Sequence, residues 1–121
     1  MPGPQVKRRL AAILAADVAG YSRLMELDEA GTLARLKALH RELVQAEIIR
    51  ANGRVVKLMG DGLLAEFPSV VEAVQCAINI QEAMPEREAQ QPEKHKIKLR
   101  IGINLGDIIV EHRDIFGDGV N

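Results

Sequence analysis

The chain has 121 residues, sixteen Lys+Arg against seventeen Asp+Glu, and a formal net charge of −1. That length suits one domain, and the balanced charge excludes a surface built to coat nucleic acid, which needs a basic excess. Tyr21, Phe67 and Phe116 are too few aromatics for base-stacking platforms. A single cysteine, Cys76, excludes both a disulfide framework and a Cys-rich zinc site.

Residues 1–9 are read as a flexible basic flank and 10–121 as the domain. The basic stretch Lys7-Arg8-Arg9 ahead of an apolar run superficially resembles an export signal, but Asp17 interrupts the run after residues 10–16. No stretch approaches the ~20 apolar residues of a membrane span, so the expectation is a cytoplasmic domain without a membrane segment.

Residues 10–16 are uniformly apolar and short, the pattern of a central strand buried on both faces. A tight turn follows Asp17, then a short helix through Met25. Asp28 is placed to cap a long helix ending near Ala51, with Leu33, Leu36, Leu39, Leu43 and Ala46 as its apolar stripe. Asn52-Gly53 closes it. Residues 54–58 and 63–67 read as strands around the glycine-rich turn Met59-Gly60-Asp61-Gly62.

Ser69 and Glu72 form a capping-box signature for a second helix, which Pro85 is expected to end. Its packed side reads as Val70, Val74, Ala77, Gln81 and Met84, broadened by Ile78 and Ile80, with Cys76 an inert core thiol. A polar loop spans 85–96. Ile97, Leu99, Ile101 and Ile103 alternate with polar residues as a strand packed on one face. Gly106-Asp107 is read as a turn, residues 108–110 as one further strand, and 112–121 as loop. The order gives an α+β fold: a ferredoxin-like βαββαβ core with an added strand, its antiparallel sheet carrying helices on one face.

Chemistry concentrates at a few positions. Asp17 sits at a strand end before a helix start, where a carboxylate and free amides suit a metal–phosphate pair; taken alone, it reads better as a helix cap. Asp61 in Gly-Asp-Gly is equally consistent with a plain turn residue. Were the hairpin to lie beside the first strand, the two carboxylates would converge and call for a cation. Lys57 precedes Asp61 by four residues, roughly 13 Å of extended strand, so the two serve different parts of a ligand or different sites. Asp114 by default is a surface residue, and His40, His95 and His112 show no metal-ligand spacing.

Four segments together are specific. L-A-A-D-V-A-G-Y-S, R-V-V-K-L-M-G-D-G-L-L-A-E-F, R-I-G-I-N-L-G-D and D-I-F-G-D-G-V-N resemble, in order and spacing, the class III adenylate/guanylate cyclases of bacterial type. The resemblance implies that Asp17 and Asp61, with the backbone of Val18, bind two Mg²⁺ or Mn²⁺ ions, and that the backbone of Ala19, Gly20 and Tyr21 approaches the phosphates. It implies Lys57 and Asp114 as the adenine-recognising pair and Asn121 as the residue orienting the ribose. The implied reaction turns ATP into 3′,5′-cyclic AMP and pyrophosphate in a head-to-tail homodimer with shared sites. In the family, a helix with an arginine and a later lysine follow the position of Asn121; the chain contains neither. Their absence motivates an alternative, a catalytically inactive nucleotide-binding or dimerisation module. A diguanylate-cyclase or polymerase-palm relative is a third reading, against which the Lys57/Asp114 pair argues.

Overall fold

The structure, a computed structural model, describes the backbone of residues 6–111 and the side chains of residues 9–107. Four strands, β1 (Val6–Val18), β2 (Arg54–Met59), β3 (Gly62–Phe67) and β4 (Leu99–Glu111), form one antiparallel sheet in the order β2-β3-β1-β4. Between them run α1 (Tyr21–Leu27), α2 (Glu29–Leu39), α3 (Gln45–Arg50) and α4 (Val70–Arg87). This is the ferredoxin-like α+β arrangement expected from the element order.

Strand alternation decides what is buried. Ala12, Leu14, Ala16 and Val18 of β1 stand beside Phe67, Ala65 and Leu63 of β3 and beside Leu105, Ile103, Ile101 and Leu99 of β4. The helices cover this face, and Leu24, Leu36, Leu39, Ile48, Cys76 and Ile80 join it in one core. Ile13, Ala15 and Asp17 project to the opposite face, which no helix among the described residues covers. On that face Ala11 is buried, but Ile13 and Asp17 are part-exposed and Ala15 is exposed, so the first strand is not buried along both faces as the sequence suggested.

Several boundaries differ from those read in the sequence, each for a local reason. β1 begins at Val6, inside the basic flank, because Val6–Arg9 pair with Ile108–Glu111. Gly106-Asp107 makes no turn: it pairs with Ala11 and Leu10, and 108–110 continue β4 as one long strand. The added strand is therefore the far half of β4, matched in length to β1.

The long helix contains one π-helical turn, His40–Val44, between α2 and α3. That wider turn moves the buried stripe by a residue, from Thr32, Leu36 and Leu39 to Val44 and Ile48, leaving Ala46 outside the core. Asp28 caps α2 as expected, its carboxylate accepting from the Gly31 N–H at 3.0 Å. Pro85 lies within the last turns of α4, where it removes only one helical hydrogen bond, and the helix runs on to Arg87. On α4 the packed residues are Ala73, Cys76, Ile80 and Met84, while Val70, Val74, Ile78 and Gln81 are exposed. Two apolar stripes run along this helix, and only packing against the sheet selects between them. Among the described residues, no helix is long and apolar enough to cross a membrane.

Candidate active site

The residues that matter lie at one end of the open face, where β1 stops. Asp17 is the last residue of β1 to project there. The following loop reaches α1 through Gly20, whose φ of 65° is the left-handed conformation that glycine adopts at no steric cost. Gly20 is the residue preceding α1, and no side chain caps that helix, so Asp17 is not the cap. The Ala19 N–H is already engaged, donating to the Lys98 carbonyl at 2.8 Å. What the loop can offer a ligand is the uncapped start of α1 at Tyr21, next to Gly20.

Asp61 arrives from β2 and β3. Met59 pairs with Gly62, so the hairpin loop is just Gly60 and Asp61, with Gly60 at φ 54° in the position where short hairpins need glycine. Asp61 Oδ2 accepts a hydrogen bond from the Val18 N–H at 2.9 Å, tying the hairpin to the strand end beside Asp17. Gly62 permits this approach: a Cβ there would stand 2.5 Å from the Ala16 carbonyl oxygen and 3.2 Å from Asp17 Cβ. Each element of Gly60-Asp61-Gly62 thus has its own reason, and the conditional expectation that the hairpin lies beside the first strand is met.

Arg100 of β4 was not singled out by sequence reasoning. It pairs in register with Asp17, its Nε and a terminal nitrogen donating to the two carboxylate oxygens at 2.8 and 3.1 Å. This bidentate bond holds the Asp17 carboxyl below its ordinary range, and the same contact, with Asp61 nearby, raises Arg100 further. Strand alternation already put Arg100 on the polar face; only the β1–β4 register, a long-range quantity, puts it opposite Asp17. A cleft of about 320 Å³ lies here, lined by Ala15, Asp17, Met59, Arg100 and Gly102 among others.

Lys57 is exposed on the same face, in register with Leu64 and hence, across β3, with Ala15. It stands two strands from β1, about 10 Å sideways, so it is not brought to the carboxylates. Asp114 and Asn121 lie outside the described residues. His40, half-buried in the π turn, is pushed down by burial, an effect that Asp61 partly opposes. Cys76 is buried and its thiol raised to about 11, as an inert core cysteine should be.

The arrangement suits a divalent cation that brings most of its own oxygens. Among the described residues no group of three or more His, Cys, Asp or Glu is placed to hold a metal ion. Two carboxylates and a strand end make a partial shell, the kind Mg²⁺ completes with phosphate and water. Asp17 already accepts one cationic group, the Arg100 guanidinium, on both of its oxygens.

No protein-family model matches the chain. Among curated proteins it is 52% identical over 121 residues to "Putative adenylate cyclase 3" of Rhizobium meliloti, covering all of this chain and 21% of that protein. It is 35% identical over 120 residues to "Adenylate cyclase" of Streptomyces coelicolor, covering 96% of this chain and 29% of that one. The chain therefore spans less than a third of the curated relatives it matches. A crystal structure of an adenylate/guanylate cyclase/hydrolase from Silicibacter pomeroyi overlays with a TM-score of 0.80 at 54% identity, over 97% of this chain and 68% of that one. With more than half of its residues identical across two thirds of that structure, the chain belongs to the adenylate/guanylate cyclase family.

Proposed function

We propose that the chain is an adenylate cyclase catalytic domain, converting ATP to 3′,5′-cyclic AMP and pyrophosphate for cyclic-nucleotide signalling. The observation that carries this reading is the tethering of Asp61 to the Val18 amide, which brings the hairpin carboxylate to the strand end that bears Asp17. The names of the curated relatives support ATP as the substrate.

Asp17 and Asp61, with the Val18 backbone, would hold two Mg²⁺ or Mn²⁺ ions. Such ions supply charge neutralisation at the attacking ribose oxygen and at the departing phosphates. The chain's own part is positioning. The uncapped start of α1 at Gly20 and Tyr21 orients phosphate oxygens, while the Lys98 carbonyl fixes the loop through Ala19. Lys57 and Asp114 recognise the adenine, and Asn121 orients the ribose for in-line attack. Lys57 stands two strands from Asp17 on the same face. That separation favours a head-to-tail homodimer, in which the carboxylates of one protomer work with the base-recognising residues of its partner.

The test is formation of cyclic AMP from ATP and Mn²⁺ by the full-length protein. Asp17→Asn and Asp61→Asn should each lower the rate about a hundredfold or more. A folded full-length protein that binds ATP without making cyclic AMP would replace this reading with a nucleotide-binding module.

A further inference from the structure

Two carboxylates on the open face carry arginine partners, and they differ in burial. The Glu66 side chain is 6% exposed and held by both Arg9 and Arg54, so removing its partners would strand a buried charge. The Asp17 side chain is 46% exposed and that of Arg100 is 69% exposed. This second pair can part into water easily, because both charges are already partly solvated. Asp61 is held in a third way, by the neutral Val18 amide on its Oδ2.

Carboxylates brought to one strand end repel each other unless a cation sits with them. Arg100 supplies that charge from the neighbouring strand. Its register opposite Asp17 sets its place, and its two nitrogens cover both carboxylate oxygens, at 2.8 and 3.1 Å. A metal ion at Asp17 needs at least one of those oxygens. Asp17 and Arg100 also line the same cleft of about 320 Å³, so guanidinium and ion contend for one space. A divalent ion carries twice the charge of the guanidinium and can win that contest, but only after Arg100 releases an oxygen.

We infer that Arg100 is an internal counter-ion for Asp17, a positioning residue that stands in for the cation when no metal is bound and opposes metal binding until it is displaced. The inference rests on the proposed reading of Asp17 as a metal ligand. It adds to that reading a residue of the same face that works against the ion. The exposed Asp17–Arg100 pair is thus a reversible closure of the metal position, whereas the buried carboxylate of Glu66 makes a permanent pair.

Mn²⁺ binding without nucleotide tests it, with free Mn²⁺ read by electron paramagnetic resonance and folding checked by circular dichroism, on the full-length protein. Arg100→Gln should bind Mn²⁺ about fivefold more tightly than wild type. Arg100→Lys keeps the charge but loses the two-pronged contact, and should gain about twofold. In an Asp17→Asn background, Arg100→Gln should leave the remaining affinity unchanged. Equal or weaker binding by folded Arg100→Gln overturns the inference, and leaves the metal reading intact where Asp17→Asn still weakens binding. Wild-type affinity in Arg100→Lys also overturns it, because a nearby charge would then act without the contact; so does the full Arg100→Gln gain persisting in Asp17→Asn. Mn²⁺ binding that is indifferent to Asp17→Asn, or absent in every form, removes the inference and the metal reading together.

Discussion

On the helix-covered face of the sheet, Leu14, Leu63 and Phe67 are at most 1% exposed and join the apolar core cluster. On its other face the sheet carries Arg9, Arg54, Glu66, Lys57, Asp17 and Arg100, most of them paired across strands. Successive residues of one strand thus contribute to stability and to charge placement in turn. The difference teaches that the two properties are separable here, because neither face supplies the other's interactions. Glu66 illustrates the open face: Arg9 and Arg54 both donate to its buried carboxylate, which keeps a charge satisfied beside strands that otherwise face solvent.

Substitutions can break or sharpen that separation. Leu14→Ala should have the largest effect, a loss of about 2–5 kcal/mol read from urea unfolding, since it removes a fully buried side chain and leaves a cavity. Gly62→Ala strikes where the faces meet. Its Cβ would press on the Ala16 carbonyl, and a loss of about 1–3 kcal/mol is expected. It should also weaken metal binding, because Asp61 would be pushed from the strand end. A Gly62→Ala protein of unchanged stability and unchanged Mn²⁺ affinity would contradict that geometry.

A smaller effect comes from His40. Burial lowers its pKa from 6.5 in the folded chain, so the unfolded state takes up the proton first as pH falls. Stability should therefore be flat above about pH 7.5 and decline as the medium is acidified through 6.5 toward the lowered folded value. Urea midpoints for wild type and His40→Gln, compared across that window, should show the variant's decline reduced. The smallest stability change is expected from Arg100→Gln, whose bond to Asp17 is exposed and screened. Its signature is local instead: the Asp17 carboxyl, followed by ¹³C NMR, should titrate at higher pH, closer to 3.8, once the guanidinium is gone.

Much of this was legible in the sequence, but unevenly. Element order and the Asp28 and Ser69 caps follow from local patterns, because caps, turns and alternation are short-range. Asp17 and Asp61, by contrast, read locally as a cap and a turn residue and take a site role only through the four-segment resemblance. What escaped depends on pairing or on choices between equivalent local patterns. Gly106-Asp107 has turn chemistry, yet pairing with β1 keeps it extended. The packed side of α4 meets the expectation at Cys76, Ile80 and Met84 but not at Val70, Val74, Ile78 and Gln81, because Val74 and Ile78 are as apolar as Ile80 and only the sheet selects which side is buried. The π turn at His40 leaves no compositional mark. Arg100 joins Asp17 only through a contact between residues 83 positions apart.

On the function proposed above, the open-face carboxylates Asp17 and Asp61 bind metal and nucleotide and contribute little to folding. The most direct test is the double variant Asp17→Asn/Asp61→Asn, in which the side-chain carbonyl introduced at position 61 can still accept the Val18 N–H. Binding of a non-hydrolysable ATP analogue in the presence of Mn²⁺ should be measured beside the urea midpoint of the same sample. Loss of nucleotide binding with the midpoint unchanged or raised is the predicted result; undiminished binding by the folded double variant would contradict the account.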